Sequence, residues 1–87
     1  MQRSAKSMDT SAMTPKGALQ KRSMRIAGHR TSLALEREFW DALEKIARSR
    51  SQSLPQLIAS IDDTRAKGSP DASLASAVRV FVLQNRV

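Results

Sequence analysis

The stretch from Arg30 to Ile58, RTSLALEREFWDALEKIARSRSQSLPQLI, holds one short alternating segment followed by two helical periods. In Arg30 to Leu35 the side chains of Thr31, Leu33 and Leu35 fall on one face of a strand, and those of Arg30, Ser32 and Ala34 on the other. The first face can line a core, while the second is small and polar apart from its arginine. Phe39, Leu43, Ile46 and Ala47 then follow i, i+4, i+7, i+8 with Trp40 beside them, which predicts a helix over about 36–49. Glu36 and Glu38 sit in its first turn and Lys45, Arg48 and Arg50 in its last, the signs the helix dipole favours at each end. Phe39 and Trp40 share a helix face with Leu43 and read as core, not as stacking platforms.

Ser51-Gln52-Ser53 is the turn. Ser53-Leu54-Pro55-Gln56 reads as a capping box, with Ser at N-cap, Gln at N3 and Pro in the tolerant first turn. The second helix is expected to run to about Lys67, with Leu54, Leu57, Ile58 and Ile61 on one face and Gly68 as its terminator. Ser69-Pro70-Asp71 restarts a helix with a cap, an early proline and an early acid. Leu74, Ala77, Val78, Phe81 and Val82 give it an apolar face at the 3.6-residue spacing. The β-branched run Val78-Arg79-Val80-Phe81-Val82 also suits a strand; the periodicity from Leu74 onward favours the helix.

Upstream of this stretch the composition changes. The first 30 residues carry seven Lys/Arg (Arg3, Lys6, Lys16, Lys21, Arg22, Arg25, Arg30) against Asp9 alone, whereas the other 57 hold eight bases against seven acids. Nearly all of the net charge of +7 is therefore N-terminal. Residues 1–22 have too little apolar surface to offset an ordering cost of about 1–2 kcal/mol per residue, so residues 1–27 are expected to form a flexible basic arm. Such an arm points to nucleic acid. Its Arg/Ser-rich, acid-poor character also matches a mitochondrial presequence superficially, but it leads directly into a strand where basic charge has another use.

Removing the arm leaves about 60 residues, a size at which a domain buries only roughly 60% of its unfolded surface and needs help. There is no cysteine and one histidine, His29, which removes disulfides and thiolate or His-cluster metal sites from the candidates. Asp62 and Asp63, adjacent on a helix, point about 100° apart and do not make a metal site. No cofactor is expected. No enzyme is expected either, since His29 has no Cys, no second His and no positioned carboxylate to work with. No apolar run approaches the ~18 residues of a membrane span. What remains is oligomerisation. Nothing later in the chain alternates well enough to pair with Arg30–Leu35, and an unpaired edge invites pairing. The economical partner is the same strand of a second chain, in a two-fold dimer whose folding and association are one event.

A strand, a helix entered through acids, a short turn and a capped second helix resemble the ribbon-helix-helix family, the Arc/MetJ-like DNA-binding proteins. The C-terminal LASAVRVFVLQ is similar to the tail of a bacterial subgroup whose domain continues past the usual two helices. The fold so implied is mainly α, with one N-terminal strand paired across an intertwined homodimer and a third C-terminal helix. Residues 1–27 would be the arm, 28–67 the core and 68–87 the helical extension. Its dimer core would contain Leu33, Leu35, Phe39, Trp40, Leu43, Ile46, Leu57, Ile58 and Ile61.

The resemblance also implies how DNA is held. The strands of two chains form a ribbon that enters the major groove, the mode known for Arc and MetJ. The outward Arg30, Ser32 and Ala34 would contact bases: Arg30 bidentate to a guanine, Ser32 as donor or acceptor, Ala34 at most against a thymine methyl. Phosphate would be held by Lys21, Arg22 and Arg25 and by the start of the second helix at Ser53, Leu54 and Gln56. Two departures stand out: Ser51-Gln52 replaces the glycine common in the turn, and Pro55 removes one amide from the phosphate site. The expected function is sequence-preferring binding of double-stranded DNA by a cytoplasmic, nucleoid-associated bacterial repressor. The alternative is an interaction module, such as an antitoxin or adaptor, that docks a partner protein through residues 69–87.

Overall fold

Ala27 and Gly28 decide the architecture. The computed structural model describes residues 18–85, and in it both residues have positive φ, 51° and 85°. A two-residue loop with two left-handed positions has the backbone twist that matches its flanking strands, the type I′ hairpin turn. The chain therefore folds back on itself: β1 (Leu19–Ile26) lies antiparallel to β2 (His29–Glu36) in a two-stranded sheet. The register runs from Ile26 facing His29 at the turn to Leu19 facing Glu36 at the open end.

This changes two expectations. Residues 19–26, expected to belong to a flexible arm, form a full strand. The partner expected from a second chain is supplied by the same chain. The intertwining of two chains was inferred from an unpaired strand, and that premise no longer holds for β2. Residues 1–17 of the expected arm, and residues 86 and 87 of the extension, lie outside the described residues.

Three helices follow: α1 (Arg37–Ser49), α2 (Leu54–Gly68) and α3 (Leu74–Gln84). Glu36 is the N-cap residue of α1 rather than part of its first turn. The turn after α1 shows how the missing glycine is managed. Gln52 N–H donates to Ala47 O at 2.9 Å and Ser51 N–H to Arg48 O at 3.1 Å, the two bonds of a Schellman motif, and Ser51 accepts the left-handed position with φ 55°. The capping box of α2 forms as expected: Ser53 Oγ accepts from the Gln56 amide at 3.2 Å, and Gln56 Oε1 accepts from the Ser53 amide at 2.8 Å. Ser73 caps α3 by accepting from the Ser76 amide at 3.0 Å. The β-branched run in α3 is helical, because the Leu74–Val82 periodicity places Val78 and Val82 together in the core.

One core serves all five elements. Ile26, Leu33 and Leu35 from the sheet meet Trp40, Leu43, Ile46 and Ala47 of α1, Leu57, Ile58 and Ile61 of α2, and Val78 and Val82 of α3, all buried. Phe39 is only half-buried and packs against this cluster. Every other residue expected in a dimer core is thus buried within a single chain. On the apolar face of α3, Val78 and Val82 are buried against the chain's own α1, α2 and β2, and Leu74, Ala77 and Phe81 are partly buried. Among the described residues, the large apolar side chains left exposed are Leu19, Val80 and Leu83.

Two outcomes follow from the hairpin. Alanine at a left-handed position is strained by roughly 1–2 kcal/mol, and asparagine tolerates it better. Ala27→Asn should therefore raise stability by about 0.5–1 kcal/mol in urea unfolding; a loss of stability would contradict the turn. Deleting residues 1–17 should leave the melting midpoint of the body in place. Deleting residues 1–22 should lower it clearly, because half of β1 is lost. Equal midpoints for the two truncations would contradict in-chain pairing.

Candidate nucleic-acid interface

The hairpin has two chemically different faces. Facing residues of an antiparallel pair share a face, so the register places Gln20/Leu35, Arg22/Leu33, Met24/Thr31 and Ile26/His29 on one side. Leu33, Leu35 and Ile26 turn this side into the core. The opposite side carries Lys21 facing Ala34, Ser23 facing Ser32, and Arg25 facing Arg30. Lys21, Ser23, Arg25, Arg30 and Ser32 are all exposed and Ala34 is half-buried. Arg30, Ser32 and Ala34 are therefore together on the outward face, as their alternation predicts.

The electrostatics of the two faces differ in the same way. Arg22, on the inward side, is fully engaged. Its guanidinium lies 4.5 Å from the Trp40 ring centroid, and its Nη1 donates to Glu44 Oε2 at 2.8 Å. Arg22, expected as a phosphate cation, thus packs over Trp40 and is paired with Glu44, with its side chain still 37% exposed. Beneath it, Trp40 Nε1 donates to the Gln20 carbonyl at 2.8 Å. This pairing lets a wholly buried indole satisfy its N–H and ties β1 to α1.

On the outward side no such compensation exists among the described residues. Lys21, Arg25 and Arg30 have no carboxylate within 4 Å. Arg25 Nη1 reaches only the Gly28 carbonyl at 3.3 Å, and Ser23 Oγ lies 3.2 Å from Ser32 Oγ. Two arginines directly opposite each other on a strand pair repel and destabilise the pair. The acid nearest in register, Glu36, is taken: Arg79 donates to its Oε1 through Nε and Nη2, both at 3.0 Å. The outward ribbon is therefore a cationic, hydrogen-bonding strip with its counter-charges missing.

The start of α2 is a weaker anion site than expected. The Ser53 and Gln56 amides are consumed by the capping box, and Pro55 has none to offer. Of the three residues named for phosphate there, Leu54 alone keeps an amide outside the box. In the basic cluster at the end of α1, Arg50 is also partly committed: it lies 5.2 Å from the Phe81 ring centroid and donates to Asn85 Oδ1 at 3.3 Å. Asp62 pairs with Arg65 at 2.9 Å and Asp63 with Lys67 at 3.1 Å. Among the described residues no group of three or more His, Cys, Asp or Glu stands close enough to hold a metal ion, and no helix is long and apolar enough to cross a membrane.

Ser23 was not anticipated, and Lys21 and Arg25 were expected as arm cations rather than strand residues. The signal was present but faint. Gln20, Arg22, Met24 and Ile26 alternate with Leu19, Lys21, Ser23 and Arg25, yet the inward set contains an arginine and a glutamine that count as polar until Trp40 is seen beneath them.

A two-stranded ribbon with a basic outward face is set on helices, with a Schellman turn and a capping box between the first two: a ribbon followed by helices. The model of the ribbon-helix-helix domain matches residues 19–85, and the chain belongs to that family. Members of the family generally bind DNA and dimerise, and their domains are typically non-enzymatic. Comparison with curated proteins and with solved structures gave no match.

Glu36 provides a pH signature for the base of the ribbon. Its own backbone amide, foremost, and Arg79 hold its carboxyl below the usual carboxylate value, while partial desolvation works the other way. A lowered folded pKa gives stability that is present above the unfolded value and lost as pH falls through the folded one. Acidification below about pH 4.5 should therefore weaken the fold. Glu36→Gln should flatten part of this acid dependence in melts between neutral and acid pH. An unchanged profile would show that the Arg79 contact does not tie α3 to the ribbon.

Proposed function

We propose that this chain is a sequence-preferring binder of double-stranded DNA that inserts its ribbon into the major groove and represses transcription by occupying a promoter. The observation that carries this reading is the outward strip of Lys21, Arg25 and Arg30 with Ser23 and Ser32, uncompensated among the described residues. The major groove, about 12 Å wide, admits a two-stranded ribbon, and arginine, serine and lysine are side chains that read base edges there. Neighbouring phosphates supply the counter-charge that the protein withholds. The mechanism is steric and involves no chemical step. The cell compartment that goes with it is a bacterial cytoplasm, at the nucleoid.

Arg30, Ser32 and Ala34 keep their base-contacting roles in this reading. Lys21 and Arg25 flank them on the same face, and Leu54 offers an amide to phosphate. Arg22 leaves the set because Glu44 and Trp40 occupy it. A homodimer remains part of the proposal, but as two complete units: each chain brings its own paired ribbon, and the exposed Val80 and Leu83 on the outer side of α3 are apolar surface available for a second copy. In the antitoxin or adaptor alternative, a partner protein would dock on the half-buried Leu74, Ala77 and Phe81 or on the exposed Val80 and Leu83, since Val78 and Val82 are taken by the chain's own core.

Fluorescence anisotropy on a selected DNA site tests the proposal. Arg30→Ala should cost about 1–3 kcal/mol on the preferred site and flatten the preference at one base pair. Its thermal midpoint should match the parent, since Arg30 faces away from the core. Leu33→Ala should instead cost about 2–5 kcal/mol of stability through lost burial. An Arg30→Ala protein that binds and discriminates like the parent would remove the ribbon as the reader.

A further inference from the structure

Between α2 and α3, away from the ribbon, lies a groove of about 360 Å³. Small-molecule sites span roughly 300–1,000 Å³. The buried Ile61 of α2 and Ala77, Val80 and Phe81 of α3 give it an apolar lining. Hydrogen-bonding groups line it too: Ser60 and Thr64 from α2, Ser76 and Gln84 from α3, all exposed. Thr64 Oγ1 donates to the Ser60 carbonyl at 3.1 Å and keeps its lone pairs, while the Ser60 and Ser76 hydroxyls bond no protein group among the described residues.

One end of the groove is fixed by Arg65. It donates through Nη1 to the Ala72 carbonyl at 3.0 Å and the Pro70 carbonyl at 3.3 Å, and through Nε to Asp62 Oδ1 at 3.0 Å. The guanidinium therefore ties the α2–α3 connection back onto α2, and its charge is met by Asp62. It is the one charged residue that lines the groove. An anion entering here finds its cation already paired, and a cation finds no carboxylate. Removing an unpaired ion from water is costly, whereas a neutral molecule escapes that cost.

We propose that the α2–α3 groove binds an uncharged, amphipathic small molecule, and that its occupancy is felt at the base of the ribbon through α3. The ligand class is a ring or short aliphatic body carrying a hydroxyl, carbonyl or amide group. Its body lies against Ile61, Val80 and Phe81, and its polar group bonds the hydroxyls or the Gln84 amide. The path to the ribbon is short. Arg79, next to Val80 on α3, donates to Glu36 Oε1 through Nε and Nη2, both at 3.0 Å. Glu36 ends β2 and is the N-cap residue of α1, so a shift of α3 reaches the junction of strand and helix. The site goes beyond DNA binding and does not depend on it.

Amide NMR on the isotope-labelled full chain tests the assignment, with phenethyl alcohol as probe and phenylacetate and phenethylammonium as its matched anion and cation. The alcohol should give saturable shifts at Ile61, Ala77, Val80 and Phe81 and a smaller one at Glu36. Neither ion should saturate the groove. Val80→Glu and Thr64→Glu place a charge on either wall at exposed positions. Each should weaken the alcohol at least about tenfold while the melting midpoint stays near the parent's. Arg79→Met should keep the groove shifts and lose the one at Glu36. Scattered or non-saturating shifts, or phenylacetate binding as tightly as the alcohol, overturn the site. A silent Glu36 amide in the parent, or one that still shifts in Arg79→Met, overturns the path to the ribbon. Groove shifts that move on dilution without any probe would show a second copy seated there, and overturn the proposal as well.

Discussion

The pairing of β1 with β2 across the Ala27–Gly28 turn is the constraint on which the rest depends. It gives β2 a partner from the same chain on one of its two edges. It also brings Ile26 and Met24 over the helices, giving a body of 68 described residues enough apolar surface to close a core by itself. The pairing is secured away from the turn, by Trp40 and Arg22. A buried indole N–H needs an acceptor, and the Gln20 carbonyl of β1, held beside α1, supplies it. Stacking Arg22 over the ring and pairing it with Glu44 then shields that bond. The strand that carries the outward charges is thus anchored by chemistry on its inward side.

That division explains how a small basic domain can hold repelling cations and stay folded. Inward and structural arginines are neutralised where they sit: Arg22 by Glu44, Arg65 by Asp62, Arg79 by Glu36. Outward ones are not, and at Arg25 and Arg30 two of them face each other. Surface ion pairs contribute little individually, so these structural pairs matter chiefly for what they leave unpaired. Among the described residues the uncompensated charges are Lys21, Arg25 and Arg30 on the outward face of the ribbon, together with the exposed Arg37, Lys45 and Arg48 of α1 and Arg50 after it. A polyanion that fits over that face removes the repulsion on binding.

Much of this was legible in the residues. The strand from Arg30, the helix carried by Phe39, Leu43, Ile46 and Ala47, the Ser53 capping box and the third helix all follow from period and cap chemistry, because each is a local rule. The outward positions of Arg30, Ser32 and Ala34 came from the same alternation. β1 was not legible for three physical reasons. Ala27-Gly28 lacks the asparagine or aspartate that usually marks a type I′ turn. Arg22 and Gln20 face inward only because Trp40 and Glu44 receive them, a tertiary effect that no pattern of polarity displays. And a run of cations resembles a solvated arm until its charges are sorted by face. At the start of α2 the same capping box that marks a helix start also engages the Ser53 and Gln56 amides, which leaves Leu54 as the amide open to an anion.

β1 and β2 of one chain pair with each other. Isotope-filtered NMR on a mixture of labelled and unlabelled chains measures this directly, through the short Hα–Hα contact between facing residues at the centre of an antiparallel pair. The contact between Ser23 and Ser32 should arise inside a single labelled chain and keep its full intensity when unlabelled protein is added. A contact between Ser32 of a labelled chain and Ser32 of an unlabelled one would contradict it.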